Sequence, residues 1–538
     1  PAPAKKRAVT FVARTGAELL EQVAFAREAL TARPGSPLPD PATPDARPSI
    51  RDRVFYSPAP LGPKGKVAVV FPGSGNQFAG MGRDLSAHFP DVLRRQSTEN
   101  RRLRGQYAPD KFWADVIPHT ATPRDFLFGQ VAVGTLGADL FAALGVRADA
   151  LIGQSLGESA GLFGLRVWTD RDEMFRRIHE SSLFDTDLGP PYDAARQFWS
   201  LGPDATVDWV SGVLAVPADD VRAALRPGLK AYLLISTTPS ESVVGGVRAD
   251  VDKLVKRFRA PFLPLSGVTL AHCEAGKPAA GPYHDLHTLP TTPPPGLTVY
   301  SGAWGRAYKP TPQNCADSIT AGLVEPIDFP AVVEAAYRDG VRAFVEAGPG
   351  NSATRMVSAI LSGRTHLARA ATAARQDGVS LVLRLVAHLI AERLPADLRP
   401  LYAADTRCVG HAEPVPPPKL ALRRSVGLLA AKPMPARSGD VLVAALQERR
   451  PAGDGDSGRI SFPELTLPDV PSVEEPAAVD ELVEATPPAR DHESTDELQA
   501  LAAVESPPVA VEPGVELESV VWHGVVSVDP EPVAVAPP

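Results

Sequence analysis

The chain has 538 residues, 44% hydrophobic and 22% charged, enough apolar side chain to bury a sizeable core in two or more domains. It holds no run of 18 consecutive apolar residues, and the opening PAPAKKRAVTFVA has no long apolar stretch after its charges, so neither a membrane span nor a signal peptide is indicated and a cytoplasmic location is expected. The formal net charge of −8 is uneven: residues 451–538 carry 19 acidic side chains against Arg459 and Arg490, a net of −17, which leaves +9 on residues 1–450. A mildly positive body suits acidic protein partners, and no basic stripe interleaved with aromatics points to nucleic acid. Cys273, Cys315 and Cys408 lie far apart without a C-x-x-C pair or a Cys/His cluster, which argues against a disulfide framework and a zinc site.

In chain order, AVTFVA (8–13) reads as a strand and GAELLEQVAFAREALTA (16–32) as an amphipathic helix with Leu19, Val23, Phe25 or Ala26 and Leu30 on one side. The Pro-rich RPGSPLPDPATPDARPS ends it, so residues 1–62 read as a small α/β adapter. KVAVVFPGSG (66–75) is a continuous apolar strand running into a Gly-rich turn, the pattern of a strand buried in an α/β sheet. Helical patterns follow, then the short apolar strand ADALIG (148–153), which enters GQSLGES (153–159) and a further helix.

Residues 207–265 change rhythm: strand WVSGVLAV, helix ADDVRAAL, strands KAYLLIS and SVVGGV, helix ADVDKLVKRF, and extended FLPLSG. This β-α-β-β-α-β order is the ferredoxin-like arrangement. The larger fold resumes with LTVYSG (297–302), the helix PAVVEAAYRDG, the strand AFVEAGPG (343–350) and the helix SATRMVSAIL. The expected architecture is an α/β, hydrolase-like parallel-sheet core in two halves, 63–200 and 267–400, with a ferredoxin-like α+β subdomain inserted at 201–266. A linker at 401–450 and an acidic tail at 451–538 complete it. The tail holds 14 prolines and too little contiguous apolar surface to fold alone, so it reads as a disordered tether. VELESVVWHGVVSV is its one segment suited to forming a strand against a partner.

GQSLG matches G-x-S-x-G. A serine hydroxyl is a weak nucleophile until a base takes its proton, and a strained strand-to-helix turn exposes its oxygen beside backbone N–H groups at a helix N-terminus. Gly153 and Gly157 are small where such a turn must pack closely. The base has to be one of 11 histidines. His272, in TLAHCEAGKPAAG, falls where the inserted subdomain returns to the main body; His284 and His287 are nearby alternatives.

Four motifs, FPGSGNQFAGMG (71–82), GQSLGE (153–158), AHCEAGKP (271–278) and EAGPG (346–350), resemble in order and spacing those of malonyl-CoA:carrier-protein transacylases and of acyltransferase domains in type I polyketide and fatty acid synthases. The resemblance covers about 65–370. FPGSGNQ, FGLRVWTDRDEMFRRIHESSLF and PTTPPPGLTVYSGAWG look most like the acyltransferase-type domains of bacterial polyunsaturated fatty acid (PUFA) synthases, and the adapter looks like the linker that precedes such domains. The resemblance implies Ser155 as nucleophile and His272 as base, oriented by the backbone carbonyl of Gly322 instead of by an acid. It implies an oxyanion hole made by the backbone N–H groups of Leu156 and Ser74. It also implies substrates carried on CoA or on the phosphopantetheine of an acyl carrier protein, no bound cofactor or metal, and ketosynthase and other synthase domains as partners.

The chain departs from the family at its selectivity positions. Malonyl-selective members hold the free carboxylate with an arginine 25 residues after the serine; here that count ends on Glu180, which would repel malonate. Arg176 or Arg177, one turn earlier, could restore a clamp if the helix shifts, or could simply pair with Glu173 and Glu180. Gln154 replaces the usual histidine before the nucleophile, and LFDTDLGPPYDAARQFW is partly aromatic; both suit an uncharged, longer acyl group. Three other readings stay open. The same dyad with water as acceptor would be a thioesterase, and an idle scaffold would leave the dyad unused. A lipase-type hydrolase would need an acidic third member and leaves FPGSGNQ and the insertion unexplained.

Overall fold

The computed structural model describes residues 6–39, 48–202, 205–267, 269–402 and 522–524. The sequence readings of the 401–450 linker and of the acidic tether fall almost wholly outside these residues.

The central sheet has six strands in the order Arg306–Tyr308, Thr298–Ser301, Ala150–Gly153, Lys66–Phe71, Val341–Glu346 and Leu367–Ala370. All neighbours are parallel except the edge strand Arg306–Tyr308, which turns back antiparallel on Thr298–Ser301. Lys66–Phe71 is buried at every position after its first, and Ala150–Gly153 throughout. Both faces of the sheet are therefore covered, which is why these strands are continuous apolar runs and do not alternate. The two strands are adjacent, with Phe71 opposite Gly153, so the loops that follow them leave the sheet side by side at its carboxyl edge. That edge is where open α/β sheets place their ligands.

The helix Pro123–Ala143 starts at a capping box between Thr122 and Asp125, which satisfies otherwise orphaned N–H groups. By length and composition it could cross a membrane, yet 83% of its apolar window is buried within the fold. It is a core helix, packed against the sheet and the helix Leu156–Gly164.

The inserted subdomain follows the expected order: Trp209–Leu214, Ala218–Ala224, Ala231–Thr238, Glu241–Val247, Arg248–Phe258 and Phe262–Pro264. Its strands pair antiparallel in the ferredoxin-like order, with Phe262–Pro264 beside Trp209–Leu214, then Glu241–Val247, then Ala231–Thr238. One face packs against its own helices through Leu214, Val221, Leu233, Val244, Val251 and Leu254. The opposite face gives Leu234, Ile235 and Val243 to the main core. A two-residue strand of the main body, Ile327–Asp328, adds parallel to the edge Ala231–Thr238. A segment this short carries no periodic signal, so the sequence did not reveal the join.

At the N-terminus, Val9–Ala13 pairs antiparallel with Val54–Tyr56 and, on its other edge, with Trp522–Gly524. The tail segment singled out as strand-forming thus contributes a strand to the chain's own adapter. The helix Gly16–Ala32 is capped by Thr15, whose hydroxyl accepts from the Glu18 N–H. It buries Leu19 and Ala26, with Val23, Phe25 and Leu30 packed around them. Gln22, on the same face, is also buried and donates to the carbonyls of Val12 and Ser49. The adapter is docked on the body: Val12 and Phe55 pack against Leu383, Ala387 and Ala391 of the helix Gly378–Ala391. Thr10 Oγ1 donates to the Ala387 carbonyl at 2.8 Å, and Asp52 pairs with Arg369 and Arg384.

Leu383 is at the centre of this contact and 7% exposed. Leu383→Ala should cost about 2–4 kcal/mol of stability through lost burial and the cavity left behind, read from urea denaturation followed by fluorescence. A loss below about 1 kcal/mol would mean that the adapter does not rest on this helix.

Candidate active site

Ser155 occupies the turn between Ala150–Gly153 and Leu156–Gly164 with φ 56° and ψ −123°, a conformation that costs a non-glycine residue roughly 1–3 kcal/mol and persists only where its surroundings enforce it. The enforcement is visible in the neighbouring backbone. The Gln154 N–H donates to the Phe71 carbonyl at 3.0 Å, Gly157 to Gln154 at 2.8 Å, and Glu158 to Ser155 at 2.9 Å. Any side chain at the flanking glycines would collide with this path: a Cβ at Gly153 would sit 2.2 Å from the Glu158 nitrogen, and one at Gly157 would sit 2.0 Å from the Phe71 oxygen. The G-x-S-x-G spacing is therefore a packing requirement here, and its product is a serine oxygen raised above the sheet edge.

Ser155 Oγ lies 2.7 Å from His272 Nε2. On the other side of the ring, Nδ1 faces the Gly322 carbonyl in a short hydrogen bond. A carbonyl only accepts, so Nδ1 carries the proton and Nε2 presents its lone pair to the serine hydroxyl. Burial pushes the His272 pKa down to about 4, against the opposing pull of the Gly322 carbonyl, so the ring is a neutral acceptor at physiological pH. Ser74 and Leu156 line the same cavity as Ser155. Among the described residues neither N–H has a hydrogen-bond partner, which leaves both free to meet a developing oxyanion. The two other histidines are otherwise engaged: His284 Nε2 lies 3.0 Å from Asp317, and buried His287 donates from Nδ1 to the Tyr283 carbonyl at 2.7 Å.

Three residues after Ser155, Glu158 is buried, 5% exposed. It accepts from Tyr308 Oη at 3.0 Å, from the Gly302 N–H at 3.2 Å and from Ser318 Oγ. Burial raises its pKa, and these donors oppose the shift. The carboxyl ties the elbow helix to Gly302 just after the strand Thr298–Ser301, to the edge strand Arg306–Tyr308 and to the helix Pro312–Val324. The motif GQSLGE contains Glu158, yet the sequence pattern assigns it no role; a carboxylate three residues into an otherwise apolar helix was the available signal.

Ser155 and His272 stand where two spaces meet. The first is a cavity of about 90 Å³ walled by Leu127, Phe128, Val131, Phe163, Met174 and Ile178. The second is a cleft of about 570 Å³ between the carboxyl edge of the central sheet and the inserted subdomain, with Thr237, Thr238, Arg355 and Met356 on its sides. Gln154 belongs to the cleft, its amide nitrogen 3.4 Å from Met356 Sδ, and not to the cavity. From the aromatic stretch after the helix, Phe184 reaches the cavity.

The expectation that Glu180, Arg176 or Arg177 faces the acyl group requires correction. None of them lines either space. The helix Arg171–His179 turns Arg171, Met174 and Ile178 to the cavity. At about 100° per residue, Arg176 and Glu180 lie nearly opposite Ile178. Arg176 is held between Glu173 and Glu180 on the surface, and the Glu180 side chain is 62% exposed. Arg177 pairs with Glu173 and donates to the carbonyls of Asp285, Leu286 and Thr288 at the end of the helix Ala280–His287. Glu180 therefore exerts no close repulsion on a bound acyl group; the face that the helix turns to the cavity is Met174 and Ile178, with Arg171 at one end.

The chain thus combines a parallel sheet and a ferredoxin-like insertion with a serine on a strand-to-helix elbow and a histidine held by a backbone carbonyl. The homologues and structural neighbours of this chain are acyltransferase domains of polyketide and PUFA synthases and malonyl-CoA:acyl carrier protein transacylases. A PUFA synthase polypeptide from Thraustochytrium sp. is 25% identical over 304 residues, which is 53% of this chain and 15% of that protein. The malonyl CoA-acyl carrier protein transacylase of Bacillus subtilis is 24% identical over 303 residues, 55% of this chain and 90% of the relative. The solved acyltransferase domain of SpnD, in complex with 2-(pent-4-yn-1-yl)malonyl, superposes with a TM-score of 0.52 at 25% identity, covering 72% of this chain and 98% of its own. The acyltransferase domain from the second module of the salinomycin polyketide synthase shares the fold, with a TM-score of 0.53 at 19% identity over 77% of this chain and 89% of its own. No protein-family model matches the chain. The chain spans only 15% of the length of the PUFA synthase relative.

Gly157→Ala should displace the elbow, because the added Cβ meets backbone on its near side. Labelling of the serine by a fluorophosphonate should fall by more than about tenfold while the protein remains folded by circular dichroism; undiminished labelling would contradict the packing argument.

Proposed function

We propose that this domain moves an acyl group between pantetheine thioesters through an ester on Ser155, and that it is not selective for malonyl. The observation that carries this reading is the 2.7 Å contact from Ser155 Oγ to a His272 whose other nitrogen is tied to the Gly322 carbonyl. In the first half-reaction Oγ attacks the thioester carbonyl carbon as its proton passes to Nε2. The oxyanion takes the N–H groups of Ser74 and Leu156. Collapse breaks the C–S bond, the imidazolium returns the proton to the departing sulfur, and the acyl group remains on Ser155. In the second half, the phosphopantetheine thiol of an acyl carrier protein gives its proton to His272 and attacks the ester. The C–Oγ bond breaks, and Oγ recovers that proton.

The cleft supports this division of labour: its 570 Å³ suits a pantetheine arm reaching Ser155 from solvent, while the smaller apolar cavity suits the acyl group. The relatives support a place beside acyl carrier protein in a larger PUFA- or polyketide-type synthase; a ketosynthase domain as neighbour is part of the proposal. The selectivity reading rests on Met174 and Ile178, the side chains the helix turns to the cavity beyond its first residue. A short carboxylate beside these two apolar side chains would lose water and gain no hydrogen bond from either, a cost that acetyl or another plain acyl group does not meet. The open volume is below the ~150 Å³ of a cavity that admits benzene, so a long chain enters only as lining side chains move.

In an assay that passes an acyl group from CoA to a carrier protein, Ser155→Ala should abolish transfer and His272→Ala should slow it by roughly 10²- to 10⁴-fold. Acetyl should acylate the enzyme faster than malonyl, and the reverse order would defeat the selectivity reading. Release of free acid at the rate of transfer, with carrier thiol present, would make the domain a thioesterase.

The pH dependence follows from His272. Its folded pKa is depressed, so the active neutral ring persists as pH falls through the ordinary histidine range and is lost only near about 4. The rate of Ser155 acylation should stay flat from pH 8 to below 6, then fall toward pH 4. An acid limb centred near 6.5, the unperturbed value, would show that the ring is not desolvated in the working enzyme.

A further inference from the structure

The cavity is apolar along most of its wall, and one end of its helix wall is not. Arg171 lines the same space as Ser155 and is only 6% exposed. It lies on one helical face with Met174 and Ile178, at spacings of three and four residues, so this wall extends for roughly 10 Å at 1.5 Å per residue. The guanidinium is poorly engaged. Nε reaches Asn100 Oδ1 at 3.3 Å and Nη2 reaches Gln96 Oε1 at 3.5 Å, both neutral acceptors at long range. Nη1 is buried and has no partner. Among the described residues no carboxylate lies within ion-pair distance of it: Asp172 is taken by the N–H groups of Arg101 and Arg102 and by Gln106, and Asp139 by Arg95 and Arg166. Gln106, also on the cavity wall and buried, holds its amide nitrogen on Asp172 and leaves Oε1 without a donor.

A buried guanidinium without a counter-ion and with an idle N–H is costly, and a merely structural role would be served as well by a methionine of similar length. Desolvation pulls the Arg171 pKa down, opposed only through space by Tyr107, Asp139 and Glu99, none of which is hydrogen-bonded or ion-paired to it. On the proposal that Ser155 carries the acyl group, we infer that Arg171 is a specificity-determining residue for acyl chains whose distal end bears an oxygen acceptor. The chain lies along Met174 and Ile178, and its terminal oxygen accepts from Arg171 Nη1. A carboxylate there supplies the missing counter-charge. A hydroxyl accepts from Arg171 and can also donate to Gln106 Oε1. Malonyl, whose carboxylate is one carbon from the thioester, differs from such a ligand in reach.

The test is intact-mass measurement of wild-type acylation rates with three thioester series of matched length: ω-methyl, ω-hydroxyl and ω-carboxyl. At the length that spans the cavity, an oxygen-bearing series should acylate Ser155 about tenfold or more faster than the methyl series, and the faster of the two names the terminal group. In R171M the ratio should fall to about one while the melting temperature holds or rises. Equal rates for all series in wild type, or a methyl preference at every length, would overturn this assignment and leave the acyl-serine reading intact. So would an R171M protein with a lowered melting temperature and an unchanged ratio. Failure of every thioester to label wild type would overturn both.

Discussion

The site depends on a short line of hydrogen bonds, from Ser155 Oγ to His272 and on to the Gly322 carbonyl. A main-chain oxygen fixes the ring's tautomer as well as a carboxylate would, and it adds no negative charge. The consequence is electrostatic: with no anion to stabilise an imidazolium and with burial opposing charge, His272 stays neutral well into the acid range. The line holds only because its two ends are rigid. Ser155 is locked in an unfavourable conformation by a turn with no room for a Cβ at Gly153 or Gly157, and Gly322 sits within a helix tied to the elbow through Glu158 and Ser318.

Around this line the fold separates two chemistries. The parallel sheet places the PGSG turn and the serine elbow side by side, so that Ser74 and Leu156 reach the same cavity. The inserted subdomain closes one side and creates the cleft; the helices Pro123–Ala143 and Arg171–His179 close the other and create the cavity. On the proposed reaction, a thioester at their junction would place its carrier arm in the cleft and its acyl group in the cavity. The docked adapter lies away from both, joined to the body through Thr10, Asp52 and Phe55.

Much of this was legible in the sequence because it is carried by local patterns. Apolar runs marked the buried strands, the β-α-β-β-α-β rhythm marked the insertion, and G-x-S-x-G marked the elbow. Ser155, His272 and Gly322 come together from motifs far apart in the chain. Two things were not legible. Counting 25 residues from the serine ends on Glu180, but a count along the chain ignores helical phase; the face that meets the cavity is Arg171, Met174 and Ile178. Arg171 itself stands between Asp170 and Asp172 in a charged first turn, a pattern that carries no sign of burial. Its polar partners Gln96 and Asn100 come from the end of a helix some 70 residues earlier, and no spacing rule announces such a partnership.

The central claim is that Ser155 Oγ becomes covalently acylated by a thioester. The most direct measurement is peptide mapping by tandem mass spectrometry of protein quenched in acid during turnover with an acyl-CoA. The account predicts an acyl ester on the peptide containing Ser155, on that side chain, discharged when a carrier-protein thiol is added. Turnover with no adduct there, or an adduct on Cys273 beside the histidine, would contradict it.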